Sequence, residues 1–237
     1  MKLKFLMGAA ALAVVAACSP QAQKPAETQT PVAEAPAAPV AINVPAGDYG
    51  LDLTHGSLTW KVQHMGMSNY TARFAKWDAT ITFDPTNPAA SKVVATIDPT
   101  SVKTDYPGDY KATHKQTGFK SWDEDLAKSD KFFNAGKFPT ITFTSTAVET
   151  TGADTGKVTG DLTFLGVTKP VTLDVKYNGS KNPHPFVPNA AAIGFSATGS
   201  IKRSDFGVAF PPGAVGDDVQ IIIEGEFIQK VAAAPAP

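Results

Sequence analysis

The sequence predicts an all-β fold, an eight-stranded antiparallel up-and-down barrel with one helical segment, and three observations carry that prediction. Apolar and polar residues alternate with period two in eight separate stretches. Turn-forming clusters such as Asp84-Pro85-Thr86-Asn87-Pro88, Gly152 to Gly156 and Gly166-Val167-Thr168 separate them at hairpin distances. Only the interval of about 108–130 has the composition of a helix, with Tyr110, Phe119, Trp122, Leu126 and Phe132-Phe133 set among Gly, Asp, Lys and Glu. A closed barrel is preferred to a two-sheet sandwich because closure leaves no exposed edge strand.

The elements follow in chain order. Lys2 and Lys4 precede an apolar run from Phe5 to Ala13, shorter than the roughly 20 residues that cross a bilayer. Residues 1–17 therefore read as a signal peptide. The run closes on Val15-Ala16-Ala17-Cys18, similar to the bacterial lipobox, in which the Cys sulfur receives a diacylglycerol. Residues 18–47 form a lipidated Cys and an Ala/Pro-rich disordered tether: six prolines from Pro20 to Pro45 interrupt any helix, and no aromatic residue seeds a core. The expected location is the periplasm, with the chain anchored to a bacterial membrane; Ser19, in place of the Asp that retains enteric lipoproteins at the inner membrane, points to the outer one. The barrel domain spans 48–230, and 231–237 is a disordered tail.

Within the domain, the inward positions are Leu58, Trp60, Val62 and His64; Trp77, Ala79, Ile81 and Phe83; Val93, Ala95 and Ile97; Ile141, Phe143, Ser145 and Ala147; Val158, Gly160, Leu162 and Phe164; Val171, Leu173, Val175 and Tyr177; Ile193, Phe195, Ala197, Gly199 and Ile201; and Val219, Ile221, Ile223, Gly225 and Phe227. Parity slips between Phe74 and Trp77, so one strand from about 69 to 84 needs a bulge near Ala75-Lys76. Glycines and alanines at inward positions suggest unfilled space lined by phenylalanines. The alternative, that phenylalanines fill the volume the small residues leave, is not separated from this by periodicity.

Composition excludes more than it proposes. There are 21 Lys plus Arg against 22 Asp plus Glu, for a net charge of -1, and no basic cluster, so no nucleic-acid partner is expected. A single Cys rules out an internal disulfide.

Four motifs, in order, resemble the YceI-like polyisoprenoid-binding family. They are Asp52-Leu53-Thr54-His55-Gly56-Ser57 with Val62-Gln63-His64-Met65-Gly66 and Phe74; Leu126 to Phe133 followed by Phe138-Pro139-Thr140-Ile141-Thr142-Phe143-Thr144-Ser145; Gly160 to Val171, similar to the family's G-x-L-T-x-x-G-x-T-x-x-V hairpin; and Arg203-Ser204-Asp205-Phe206-Gly207, similar to its R-x-D-F-G stretch. The resemblance implies an eight-stranded antiparallel lipocalin-like barrel that binds a long isoprenoid, quinone or polyprenol-like, or a related amphiphilic lipid in its interior, in the bacterial cell envelope, with no cofactor besides that ligand. The segment Asp105 to Asp125 is longer than the family's common link.

The expected barrel lining is Trp60, Val62, His64, Phe74, Trp77, Ile81, Phe83, Phe132, Phe133, Phe143, Leu162, Phe164, Phe195, Phe206 and Phe227, with His55, Arg203 and Asp205 as polar groups near an opening and Cys18 as the lipidated residue. Asp52, His55 and His64 supply half of a metal site without an evident third or fourth ligand, so no metal is expected; His55 reads as ordering a turn and His64 as a satisfied inward group. Arg203 and Asp205 are expected to pair with each other, because a lone charge in an apolar barrel is costly. Asp123, Glu124 and Asp125 read as solvated turns and caps. Neither a Gly-x-Ser-x-Gly elbow nor a His-Glu-x-x-His pair is present, and no enzyme activity is expected. The competing classes are an envelope stress or structural lipoprotein with a filled barrel, and an enzyme acting on a lipid-like substrate.

Overall fold

The computed structural model describes residues 40–209 and 213–231. Its strands are β1 (Gly47–Leu51), β2 (Ser57–His64), β3 (Ser68–Phe74), β4 (Trp77–Phe83), β5 (Lys92–Ile97), β6 (Val102–Lys103), β7 (Ile141–Thr150), β8 (Thr155–Phe164), β9 (Val167–Lys181), β10 (Ala192–Lys202) and β11 (Val215–Gln229). Every pairing is antiparallel, and three pairs of short strands are halves of bent ones. β1 pairs with β4 while β2 pairs with β3, and β4 pairs with β5 while β3 pairs with β6. Eight long strands thus follow one another around an up-and-down barrel, closed where β11 pairs with β2 over Val215–Glu224 and with β1 over Phe227–Gln229.

The three bends fall side by side, and the second and third are pinned to each other. The backbone of Ala75 donates to Ser101 O at 3.0 Å, Lys76 N donates to Ser101 Oγ at 2.9 Å, and Asp98 N returns a bond to Lys76 O at 3.1 Å. Asp52 N continues the seam to Glu226 O at 2.8 Å. Buried Ser101 therefore satisfies the amides that a break in the ladder would leave unpaired. The parity slip expected at Ala75-Lys76 lies on this seam. β1 was not expected: Gly47-Asp48-Tyr49-Gly50-Leu51 is short and follows a proline-rich stretch, yet it helps close the barrel.

The chain before β1 corrects the tether boundary. Val44 is buried, Ile42 packs against the same cluster, Val40 N donates to Ala153 O at 2.9 Å, and Tyr49 Oη donates to Pro45 O at 2.6 Å. Residues 40–46 therefore belong to the barrel. They cross the end that also carries the β4–β5 and β7–β8 turns, here termed the amino-terminal end. The signal peptide, Cys18 and the rest of the tether lie outside the described residues, as do residues 232–237.

At the opposite, helical end lie the β2–β3 turn, the β8–β9 turn and the long connection between β6 and β7. Leu165 (φ 51°) and Gly166 (φ 76°) form the two-residue β8–β9 turn with positive φ at both positions, a geometry matched to strand twist. In place of one helix over 108–130 the connection holds α1 (Tyr110–Thr113) and α2 (Trp122–Lys128), with Gly118 (φ 77°) ending the short turn between them. Asp109 caps α1 by accepting from Ala112 N. Ser121 caps α2 by accepting from Glu124 N, while Glu124 accepts from Lys120 N, much as in a capping box.

Candidate ligand-binding cavity

Alternation along the strands turns one face of each inward, and the barrel is too wide for those side chains to fill. A cavity of about 1600 Å³ runs from Val40, Ile42, Pro85 and the β7–β8 turn at the amino-terminal end to His64, Tyr110 and Arg203 at the helical end. Pockets for small ligands and cofactors hold about 300–1000 Å³, so this volume suits a larger guest. Its walls are mostly apolar and aromatic. Phe133 connects Trp60, Phe74 and Phe164 at ring separations of 6.1, 5.4 and 5.8 Å, and Phe195 connects Phe83, Phe227 and Tyr177 at 6.2, 6.4 and 5.8 Å. All three tryptophans of the chain, Trp60, Trp77 and Trp122, line it.

Each residue expected in the lining reaches the cavity except Phe206. Phe206 lies behind the wall, 3% exposed, with its ring 5.6 Å from that of Phe164. Among the small inward residues, Ala79, Ala95, Ala197 and Gly225 line the cavity as expected, whereas Gly160 and Gly199 do not. A side chain on Gly160 would meet the Phe143 ring at 2.5 Å, and one on Gly199 would meet Leu173 at 2.6 Å, so neighbouring side chains already cover both glycines. β7 departs from its expected parity as well: register shifts between Ser145 and Ala147, leaving Ala147 exposed and turning Val148 inward, while Ser145 Oγ accepts from Val93 N at 2.8 Å.

The family model for the YceI-like domain matches residues 49–227, from the first strand of the barrel to the last. The chain belongs to the YceI-like family. It is 39% identical over 187 residues to protein YceI of Escherichia coli O17:K52:H18, a match covering 78% of this chain and 88% of that protein. Among solved structures, the Campylobacter jejuni YCEI protein superimposes with a TM-score of 0.54 at 32% identity, covering 72% of this chain and 91% of that one. Burkholderia cenocepacia BcnA gives 0.58 at 24% identity, covering 74% and 98%. A polyisoprenoid-binding domain from Saccharophagus degradans gives 0.50 at 16%, covering 77% and 98%.

The polar groups of this YceI-like barrel sit mainly where the sequence did not place them. Arg203 does reach the helical mouth, but its guanidinium donates to the carbonyls of Gly216, Val208 and Val215 at 2.8–2.9 Å, while Asp205 is exposed. In place of the expected Arg203–Asp205 pair, the guanidinium clamps the loop through its carbonyls. His64 lines the mouth but is exposed rather than packed inward. His55 lies off the cavity, on the bend between β1 and β2. Its Nδ1 lies 2.8 Å from Asp52 Oδ2, and Asp52 Oδ1 accepts from Thr54 N and Oγ1, so His55 orders the turn as expected. Those bonds hold the Asp52 carboxyl at about 2 and raise His55. β11 brings in a third group, a second acid, that no local spacing could reveal: the ligand atoms of Asp52, His55 and Glu226 lie within 4.8 Å of one another.

The residue that sequence reasoning missed is Asp125. It is 5% exposed and lines the cavity, whereas half-buried Asp123 beside it accepts from Thr104 N and Glu124 pairs with Lys128. Trp122, Asp125, Leu126 and Ser129 recur at helical spacing, and that periodicity was the available signal that Asp125 faces inward. Tyr110 Oη donates to Asp125 Oδ2; burial first, and this bond second, push the phenol up to about 12. The Tyr110 ring stacks on His114, with centroids 4.3 Å apart and planes 7° from parallel, and lies 5.8 Å from Trp122, whose Nε1 donates to Tyr70 Oη at 2.8 Å. Deeper in, Trp60 Nε1 is a buried donor with no hydrogen-bond partner among the described residues.

Proposed function

We propose that this protein binds a long-chain isoprenoid, quinone or polyprenol-like, or a related amphiphilic lipid inside its barrel, and stores, shields or transfers it in the bacterial cell envelope. The observation that carries the reading is the cavity: about 1600 Å³, walled by aromatic rings and reaching from one end of the barrel to the other. Family membership supports it, as does the fold shared with a solved polyisoprenoid-binding domain. A barrel filled by its own side chains, the rival structural reading, is at odds with that volume.

Binding without catalysis is a sufficient role on energetic grounds. Burying hydrocarbon yields about 0.8 kcal/mol per CH₂ relative to water, but an isoprenoid tail starts from the bilayer, where that gain is already realised. Barrel and membrane therefore compete on near-equal terms, so loading and release need no chemical step. Export by the signal peptide and anchoring through Cys18 belong to the same proposal, since they keep the barrel within reach of the membrane.

Tryptophan emission provides the test. With all three tryptophans on the cavity wall, titrating the detergent-free barrel with a long-chain quinone is expected to quench emission saturably and to give one binding curve. Quenching that rises linearly, without saturation, would count against an interior site.

A further inference from the structure

The bend between β1 and β2 carries a cluster of side chains for which lipid binding has no use. Turn ordering accounts for Asp52 and His55 but leaves Glu226 unexplained. That residue is exposed on the outer face of β11, between inward Gly225 and Phe227, and its carboxylate makes none of the hydrogen bonds or ion pairs between described residues. We propose that Asp52, His55 and Glu226 bind a divalent transition-metal ion such as Zn²⁺, which ties the last strand of the barrel to the bend of the first. Sequence spacing showed two of these ligands and hid the third, so no metal was expected; the pairing of β1 with β11 supplies it.

Geometry and charge both fit an ion. The three ligand atoms lie within 4.8 Å of one another, and His55 Nδ1 is already 2.8 Å from Asp52 Oδ2. Around a tetrahedral zinc with bonds of about 2.0–2.2 Å, ligand atoms stand about 3.4 Å apart, so rotation of the exposed His55 and Glu226 side chains closes the set. Their backbones are held for this: Asp52 N donates to Glu226 O at 2.8 Å, and His55 N donates to Asp52 O at 3.1 Å. Asp52 Oδ1 accepts from Thr54 N and Oγ1 at 2.9 and 2.7 Å, which fixes the carboxylate with Oδ2 toward the imidazole, as outer contacts orient metal ligands. On binding, the ion takes the place of the proton between His55 Nδ1 and Asp52 Oδ2, and the neutral ring carries its proton on Nε2 instead. Two carboxylates then balance the ion's charge, and no Lys or Arg among the described residues pairs with either acid. One imidazole with two carboxylates, completed by water, suits zinc and its transition-metal neighbours, whereas Ca²⁺ takes six to eight oxygens.

The test is a calorimetric titration of Zn²⁺ into the purified protein, free of chelator and of any histidine tag, in wild type, Glu226→Gln, His55→Ala and Glu224→Gln. Wild type is expected to bind one ion per chain with a Kd in the micromolar range and to melt several degrees higher with zinc in excess, because an ion bound only by the folded chain stabilises it. Glu226→Gln and His55→Ala should each weaken binding about tenfold or more and remove the melting shift. Glu224→Gln, the neighbouring outward acid on β11, should leave both readouts unchanged. Absence of saturable zinc binding by wild type, or binding that survives Glu226→Gln, overturns the site. Equal weakening by Glu224→Gln also overturns it, by showing a general effect of charge, and Mg²⁺ binding as tight as that of zinc overturns the transition-metal assignment. Should His55→Ala not fold, Glu226→Gln, at an exposed position, decides. The cluster lies off the cavity, so none of these outcomes bears on lipid binding.

Discussion

The two ends of the barrel are built by different means, and the difference separates stability from recognition. At the amino-terminal end, β1, β4, β10 and β11 supply Tyr49, Phe83, Ile193 and Phe227 to one apolar cluster in which Tyr49 is 0% and Ile193 1% exposed, with Val44 of the incoming chain packed on it. Tyr49, Ile193 and Val44 are consumed by packing, while Phe83 and Phe227 also line the cavity. At the helical end the connection between β6 and β7 carries Asp125, Tyr110, His114 and Trp122 to the cavity. Strands dictate the wall because their pairing fixes where each residue points; an excursion between strands is free to bring polar groups to the mouth.

That contrast can be broken by substitution. Tyr49→Ala should have the largest effect, removing a fully buried ring from the amino-terminal cluster and costing about 3–5 kcal/mol, seen as a fall in melting temperature of roughly 10 °C. A loss below about 1 kcal/mol would show that this end does not hold the fold. Gly160→Val forces a side chain into the Phe143 ring and the Thr144 carbonyl, and is expected to cost about 1–3 kcal/mol by denaturant titration. Trp122→Phe keeps the ring surface but deletes the Nε1 bond to Tyr70. Its stability cost should be about 1 kcal/mol, whereas its effect on lipid affinity should exceed that of Gly160→Val; the reverse order would place recognition in the wall.

The smallest effect is in pH. The folded carboxyl of Asp52 lies at about 2, below its ordinary 3.8, through the hydrogen bonds of His55 and Thr54. Its contribution is therefore complete above pH 3.8 and is lost as pH falls toward 2. His55 is raised by the same contact, so its contribution is complete below 6.5 and fades as pH rises through its folded value. Melting curves at pH 3 and pH 5 should differ slightly less for Asp52→Asn than for wild type, because that variant has no carboxyl at this site to titrate.

The wall was legible in the sequence and the helical end was not, for the same physical reason. Period two reports which face of a strand is inward, so Trp60, Phe143, Phe195 and Phe227 could be placed from spacing alone. A slip in parity betrayed the bend at Ala75-Lys76, but the shift at Ser145–Ala147 left no trace, since Ala147 and Val148 are both small and apolar. β1 escaped notice because five residues after a proline-rich stretch make too short a pattern. Asp125 was hidden by its acidic neighbours, which suggest solvent until the helical spacing from Trp122 is counted. Arg203 looked like half of an ion pair because sequence shows charges and does not show the loop carbonyls that satisfy them.

The central claim is that the interior holds an isoprenoid, and it is tested most directly by purifying the protein under native conditions from an exporting bacterial host, extracting it with organic solvent and analysing the extract by mass spectrometry. The account predicts one class of isoprenoid lipid, close to stoichiometric with protein and retained through gel filtration. Barrels that come out empty, and that remain empty after incubation with quinones and polyprenols, would contradict it.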